Sequence, residues 1–546
     1  MPDLIDKAAR RALKLPRATT DTIERRKDLP AVMSDGTILL ADHYIPDGDD
    51  HAPLVLIRNP YGRRGVVGMF ARLLAHEGFQ VVQQSCRGTG GSGGRFNRPL
   101  TQERRDGADT VAWLREQPFY PGSFATYGGS YLGYTQLALP PESKDELFAA
   151  VLQFAPSSAG SLVWEGGALA LGTSLSWATQ ASRNPAALIR NVALGRRDGR
   201  RLRAAGVTAP LIETYKQVTG GPVGFLEEWW THPESDDPFW AEQDHLSSVD
   251  SYDCPVLVQS GWYDLFLESS LREYERLAER RSDARLTVGP WAHTEGAGTM
   301  FTEAVSFLRA AAGPEKPPLE RPVRLLDART GGDSRYRAWP VPVSSEHRYL
   351  APGRLQNNPG DAGSTPTAFR YDPADPTPQW GGRLLEAQHA GRVEQAGIEQ
   401  RADVVIFDTN PLETSAEYVG SPALDIWASA DVPAPQLFIR LSVVDVSGRS
   451  YNVTDRLLSI VEPADRGTPI RISAVLPPTS IHVRAGERLR LLIAGGAFPQ
   501  YARSPGTGES PVTATTFLAA NIQIHHDDEH RSRITLPRAT PPSREA

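Results

Sequence analysis

Four short apolar runs, Leu54-Val55-Leu56-Ile57, Phe79-Gln80-Val81-Val82, Phe124-Ala125-Thr126-Tyr127 and Ala149-Ala150-Val151-Leu152, alternate with longer stretches in the first third of the chain. One such stretch, residues 106–115, spaces Ala108, Val111, Ala112 and Leu114 as a helix does. Two further runs follow much later, at Pro255-Val256-Leu257-Val258 and Arg285-Leu286-Thr287-Val288. Strands alternating with helices predict a parallel sheet covered by helices on both faces. Ahead of it, two arms around Ser34-Asp35-Gly36 predict a hairpin, the Asp-Gly pair supplying the turn.

Two regions break this rhythm. Residues 157–247 are rich in Leu, Ala and Trp at helical spacing, with few β-branched runs, and predict a mostly helical segment inserted between two strands. From residue 322 onward Pro, Gly and short alternating segments dominate, such as Leu437-Phe438-Ile439-Arg440-Leu441 and Arg488-Leu489-Arg490-Leu491. That pattern predicts a β-sandwich or jelly roll. The expected organisation is therefore an α/β core over residues 1–156 and 248–321, a helical cap over 157–247, and a sandwich over 322–546.

Composition narrows the function. A chain of 546 residues is too long for one core. With 40% hydrophobic and 23% charged residues it has ordinary globular composition. A net charge of −7 lacks the basic excess of a nucleic-acid binder. Cys86 and Cys254 read as buried small hydrophobes in a reducing compartment. The first residues carry no apolar core of signal-peptide length, and no run reaches the length of a membrane span. The expectation is a cytoplasmic protein with no membrane or nucleic-acid partner.

The chemistry concentrates at three strand ends. Ala125-Thr126-Tyr127-Gly128-Gly129-Ser130-Tyr131-Leu132-Gly133 is a strand, a glycine-flanked serine and the start of a helix. A nucleophile on a sharp strand-to-helix turn needs small neighbours, although here Leu132 separates the serine from Gly133 where G-x-S-x-G has one fewer residue. After the Val256 run comes Gly261-Trp262-Tyr263-Asp264, and after the Leu286 run Gly289-Pro290-Trp291-Ala292-His293. The order Ser, Asp, His along the chain is that of the α/β-hydrolases. It assigns Ser130 as nucleophile, His293 as general base and acid, and Asp264 as the group that orients the imidazole.

These three blocks resemble the signature blocks of the cocaine esterase-like hydrolases, the group that also holds α-amino acid ester hydrolases and X-prolyl dipeptidyl aminopeptidases. Met33-x-Asp35-Gly36, Arg58-Asn59-Pro60-Tyr61, Arg87-Gly88 and Phe498-Pro499-x-Tyr501 extend the likeness over nearly the whole chain. The resemblance implies an α/β-hydrolase core with an inserted helical cap and a C-terminal jelly roll, and a small-molecule ester substrate handled without cofactor or metal. It implies an oxyanion hole of the Tyr131 N–H and a tyrosine hydroxyl from an early strand, matched to Tyr44. It also implies an acyl pocket lined by Phe266, Trp164 and Trp177. Where the amino-ester hydrolases carry an acid pair, two and three residues after the aspartate, Phe266 and Leu267 stand, with Glu268 next. That departure favours uncharged acyl groups over an ammonium-bearing substrate. Where the family usually has an acid two residues before Arg87, Ser85 stands, so an ion pair is expected to be missing. The competing readings are an amide or peptide hydrolase on the same machinery, and a carbohydrate- or protein-binding protein with an inactive core.

Two motifs are decoys. Gly88-Thr89-Gly90-Gly91-Ser92-Gly93 satisfies G-x-G-x-x-G, but Pro99 blocks the immediate helix that a dinucleotide site requires. His525-His526-Asp527-Asp528 reads as a solvated loop rather than a metal site, since adjacent strand side chains point apart.

Overall fold

The computed structural model describes residues 2–539 apart from 66, 183–198, 235, 314–319, 360–363, 386–388 and 461–465. Among the described residues, twelve strands precede residue 340. They are β1 (Ile23–Val32), β2 (Ile38–Pro46), β3 (Leu54–Asn59), β4 (Gln80–Ser85), β5 (Phe124–Gly129), β6 (Leu147–Gln153), β7 (Trp164–Glu165), β8 (Ala168–Leu169), β9 (Val256–Tyr263), β10 (Arg285–Ala292), β11 (Val323–Leu326) and β12 (Asp333–Tyr336). Ten of them form one sheet, ordered β1-β2-β4-β3-β5-β6-β9-β10-β11-β12. β3, β4, β5, β6, β9, β10 and β11 run parallel, while β1, β2 and β12 pair antiparallel at the edges.

The parallel strands read as nearly unbroken apolar runs because both faces are covered. Every residue of β3, β4 and β9 is buried. On one face Phe301, Val305 and Leu308 of the Ala297–Ala312 helix pack against Val55, Val81 and Val151; on the other lie Leu137, Leu271 and Tyr274 with Leu56, Val82 and Val258. The expected hairpin joins β1 to β2, with Gly36 at φ 79° in the turn.

The chain leaves the sheet after β6 and returns at β9. Between them lie the helices Leu171–Ser182 and Gly224–Trp230, shorter helical turns, and the small β7–β8 hairpin. This segment has its own apolar interior, with Leu175, Leu226, Trp229, Trp230 and Trp240 buried, continuous with Tyr131 and Phe266 of the core.

The sheet continues past residue 321. β11 pairs in parallel with β10, Leu286 opposite Val323, and β12 closes the edge. The second sheet, thirteen strands from Val343–Ala351 to Arg533–Ala539, is antiparallel almost throughout and encloses its own core. Its strand Gln436–Val444 is buried on both sides. Leu437, Ile439, Leu441 and Val443 enter the sandwich core, whereas Phe438 faces Ala168 and Ala170 of the inserted hairpin. The sandwich thus rests on the cap as well as on the core. Among the described residues no helix is long and apolar enough to cross a membrane.

Candidate active site

Ser130 stands between β5 and the Tyr131–Leu137 helix at φ 57°, ψ −126°, a backbone state that costs a non-glycine residue about 1–3 kcal/mol. The surroundings hold it there. Its N–H donates to the Gln153 carbonyl at 2.9 Å. Gly128, at φ 149°, lies where a Cβ would come 2.4 Å from that of Leu132, and a Cβ on Gly133 would meet that of Ala155 at 2.6 Å. The departure from G-x-S-x-G is thereby explained. Gly133 is the position that faces the next strand, and Leu132 points elsewhere.

Asp264 follows β9 and is fully buried. Its Oδ1 accepts the Phe266 N–H at 2.7 Å, and its Oδ2 lies 2.7 Å from His293 Nδ1. That contact puts the imidazole proton on Nδ1 and leaves the Nε2 lone pair toward Ser130 Oγ, 3.1 Å away. The histidine loop is seated by Trp291. A Cβ on Gly289 or Gly296 would fall 2.6 Å or 2.3 Å from its ring, and one on Gly261 would fall 2.1 Å from its carbonyl oxygen. The glycines of all three sequence blocks are thus places where a neighbouring side chain or backbone needs the space. Phe154 and Phe266 flank the imidazole, ring centroids 5.5 Å and 5.4 Å away.

Ser130 and His293 open onto a pocket otherwise lined by Leu100, Tyr131, Pro156, Leu162, Trp177, Leu265, Phe266 and Leu385. Phe266 and Trp177, two of the three residues expected at an acyl pocket, are among its lining. Trp177 lies nearly parallel to Tyr131, 6.3 Å between centroids, and to Trp229, 5.6 Å. Trp164 is not among the lining residues. Its Nε1 donates to the Trp229 carbonyl at 3.0 Å, so it packs behind the wall. Leu385 comes from the sandwich loop, and no spacing or motif in the sequence announced it.

Tyr44 is the clear correction. It lies on β2, with β4 and β3 between it and β5. Three strand spacings of about 4.8 Å put its backbone about 14 Å from the nucleophile strand. Its hydroxyl donates to the Arg63 carbonyl at 3.3 Å, and its ring lies under Arg25. A different tyrosine packs against two residues of the pocket wall, Tyr131 and Trp177. Tyr61 follows β3, the strand beside β5, and packs edge-on against Tyr131 with centroids 6.5 Å apart. Burial pushes its hydroxyl up to about 12, against a hydrogen bond with Trp177 that acts the other way. Tyr131 itself is pinned, its hydroxyl donating to Glu103 Oε1 at 2.8 Å and accepting the Leu100 N–H at 3.2 Å.

Arg87 does not lack a partner. Asp106 and Asp35 both take it, Nη2 to Asp106 Oδ1 at 2.6 Å and Nη1 to Asp35 Oδ2 at 2.9 Å. Ser85 instead accepts from Arg63 at 2.7 Å. The glycine-rich run after β4 closes on itself, Gly88 N–H to the Gly93 carbonyl, and the next helix begins only at Glu103. His525 and His526 are buried rather than solvated, bonded to Ser429 and to Ser364 and Thr367 respectively. His525, Asp527 and His530 approach within 4.8 Å, but each already has a hydrogen-bond partner: Ser429 for His525, the turn amides and His530 for Asp527.

Residues 35–295 match the X-Pro dipeptidyl-peptidase (S15) family, and residues 319–535 match the X-Pro dipeptidyl-peptidase C-terminal non-catalytic domain. A cocaine esterase of Rhodococcus sp. is 27% identical over 92% of this chain and 97% of its own length. Among solved structures, an aminopeptidase of a marine sediment archaeon superposes with a TM-score of 0.80 at 21% identity, over 95% of this chain and 96% of that one. An α-amino acid ester hydrolase gives 0.79 at 21% identity, over 96% and 98%. At such identities the superpositions speak for the fold alone, in its full three-part extent.

Proposed function

Because the chain belongs to the cocaine esterase-like family of serine hydrolases, we propose that it hydrolyses carboxylic esters of small molecules through an acyl-enzyme on Ser130. The observation that carries the reading is one contact series. A buried Asp264 holds His293 at 2.7 Å, and His293 reaches Ser130 Oγ at 3.1 Å, at the mouth of an apolar pocket.

In this reading His293 Nε2 takes the hydroxyl proton as Ser130 Oγ attacks the ester carbonyl carbon. Asp264 stabilises the imidazolium. The oxyanion is met by the Tyr131 N–H and by the Tyr61 O–H, which replaces Tyr44 in that role. The α/β-hydrolase fold draws its second donor from the loop after the third strand, where Tyr61 stands. A hydroxyl pushed up to about 12 stays protonated and able to donate. His293 then protonates the departing alcohol, and water enters by the reverse sequence to release the acid.

The pocket favours uncharged acyl groups. Its described lining carries no carboxylate beyond the triad, and Glu268, the nearest acid in sequence, is taken by Arg383 and Arg456. An ammonium-bearing substrate would be desolvated there without a counter-charge. The two cysteines, free and buried, suit a reducing compartment, and on that ground we place the enzyme in the cytoplasm.

Rapid mixing with a p-nitrophenyl ester tests the reading. It expects a burst of one nitrophenolate per chain, phosphonate labelling confined to Ser130, and a fall of about 10⁴–10⁶ in kcat for Ser130→Ala. A Ser130→Ala variant with wild-type turnover overturns it. Faster cleavage of Xaa-Pro anilides than of acyl esters would replace it with peptidase activity.

A further inference from the structure

Three parts of the molecule meet in one cluster of charges beside the pocket. Arg383, from the sandwich, donates through Nη2 to Glu165 of the β7–β8 hairpin, and through Nη1 to Glu268 Oε2 at 3.4 Å, on the core helix Leu267–Ala278. Arg456, from the sandwich strand Ser450–Ser459, donates to Glu268 Oε1 at 2.5 Å. Tyr501 donates to Glu165 Oε2 at 2.6 Å. Two arginines balance two glutamates. Although burial alone would raise it, Arg383 and Arg456 hold the Glu165 carboxyl below its usual range, so that carboxyl is ionised.

Each acid and Arg383 sit within two residues of the pocket wall or its backing. Glu268 follows Phe266 by two, Arg383 precedes Leu385 by two, and Glu165 adjoins Trp164. Phe266 and Leu385 both line the pocket, and Trp164 is bonded to Trp229, on which Trp177 stacks. These residues come from the core, the sandwich and the cap, so no covalent link fixes their separation. A planar guanidinium with directed donors does what apolar packing does poorly, fixing both distance and orientation between two separate carboxylates.

We propose that Arg383, acting through Glu165 and Glu268, is a positioning residue that holds the sandwich residue Leu385 against Phe266 and Trp177 and so sets the size of ester the pocket accepts. The inference rests on the esterase reading and adds the residues that determine its selectivity. Arg383 touches no reacting atom. Its removal therefore changes KM and the ranking of substrates, with the chemical step left to Ser130, His293 and Asp264.

The test uses the full chain and a series of p-nitrophenyl esters from acetate to octanoate and benzoate, with kcat and KM measured separately. Arg383→Met is expected to change the acetate-to-benzoate ratio of kcat/KM by about five- to tenfold, mostly through KM, and Arg383→Lys to recover part of it. Glu268→Gln is expected to shift the ratio in the same direction. A folded Arg383→Met variant that keeps the wild-type ratio, or loses activity equally on every ester, overturns the proposal. Should Arg383→Met fail to fold, Glu165→Gln and Glu268→Gln decide on the same ratio. Failure of the esterase reading is distinguishable, because the wild-type chain itself would then turn over none of the series.

Discussion

At the carboxyl edge of the first sheet, Ser130 and His293 are held by turns of the backbone packed against glycines, whereas the wall facing them is held by stacked rings and ion pairs from three parts of the chain. The edge has no slack. A methyl group on Gly128, Gly133, Gly261 or Gly289 would strike an atom within 2.1–2.6 Å. The wall is made of side-chain ends, and Trp177 or Leu385 can change size without moving a strand. Reaction chemistry and substrate choice are therefore expected to be separable in this fold: edge substitutions should act on kcat, wall substitutions on KM.

The largest expected effect lies at the edge. Asp264→Asn keeps the side-chain shape and the acceptor for the Phe266 N–H, but its amide can present N–H to the imidazole and favour the wrong tautomer. Turnover of a p-nitrophenyl ester is expected to fall by about 10⁴ with KM little changed. A variant in which KM rises while kcat holds would erase the distinction between edge and wall.

A pair of tyrosines sharpens it by a smaller amount. Tyr61→Phe is expected to lower kcat by about 10²–10³, the cost of one lost oxyanion donor. Tyr44→Phe removes a hydroxyl that donates to the Arg63 carbonyl at 3.3 Å, so it is expected to leave kcat intact and cost at most about 1 kcal/mol of stability, read as a small fall in Tm. The opposite pattern would return the oxyanion role to Tyr44.

The same two residues show where sequence reading runs out. Both are tyrosines close to an early strand, and although Tyr61 closes the Arg58-Asn59-Pro60-Tyr61 block, that block does not say which strand lies beside β5. What separates them is sheet order: β3 neighbours β5 while β2 lies three places away, and order depends on crossovers that the chain does not spell out. By contrast, Ser130, Asp264 and His293 were legible because each follows an apolar run and carries glycines that a strand-end turn needs. Trp164 and Trp177 looked alike for the reason the tyrosines did, since only packing decides which indole faces the cavity and which backs it. Val323–Leu326 is a four-residue strand that reads as well into the sandwich as into the first sheet, and pairing with β10 decided it. The partners of Arg87 were invisible too, Asp35 lying 52 positions before it on a different turn.

The smallest expected effect on activity comes from a residue behind both edge and wall. Glu273, on the Leu267–Ala278 helix, is fully buried, and its Oε1 accepts from Ser269 Oγ at 3.1 Å. Burial pushes its carboxyl up to about 8. A carboxyl in the unfolded chain ionises near the usual 4.5, so between about pH 4.5 and 8 the folded protein keeps a proton that the unfolded chain has released. Stability from this group is complete below that window, falls as pH rises through it, and is level above about 8. The slope approaches about 1.4 kcal/mol per pH unit in mid-window. Glu273→Gln substitutes a permanently neutral group of the same shape. Denaturant unfolding from pH 5 to 9 should show the downward slope in the wild-type chain and a flatter one in the variant, which becomes the more stable protein at pH 8 and above. Because Glu273 touches neither the triad nor the pocket lining, kcat and the ester ranking at pH 7 should stay within about twofold of wild type. An unchanged slope would mean that the carboxyl is ionised in the folded protein. A changed ester ranking would mean that the wall reaches further back than the cluster around Arg383.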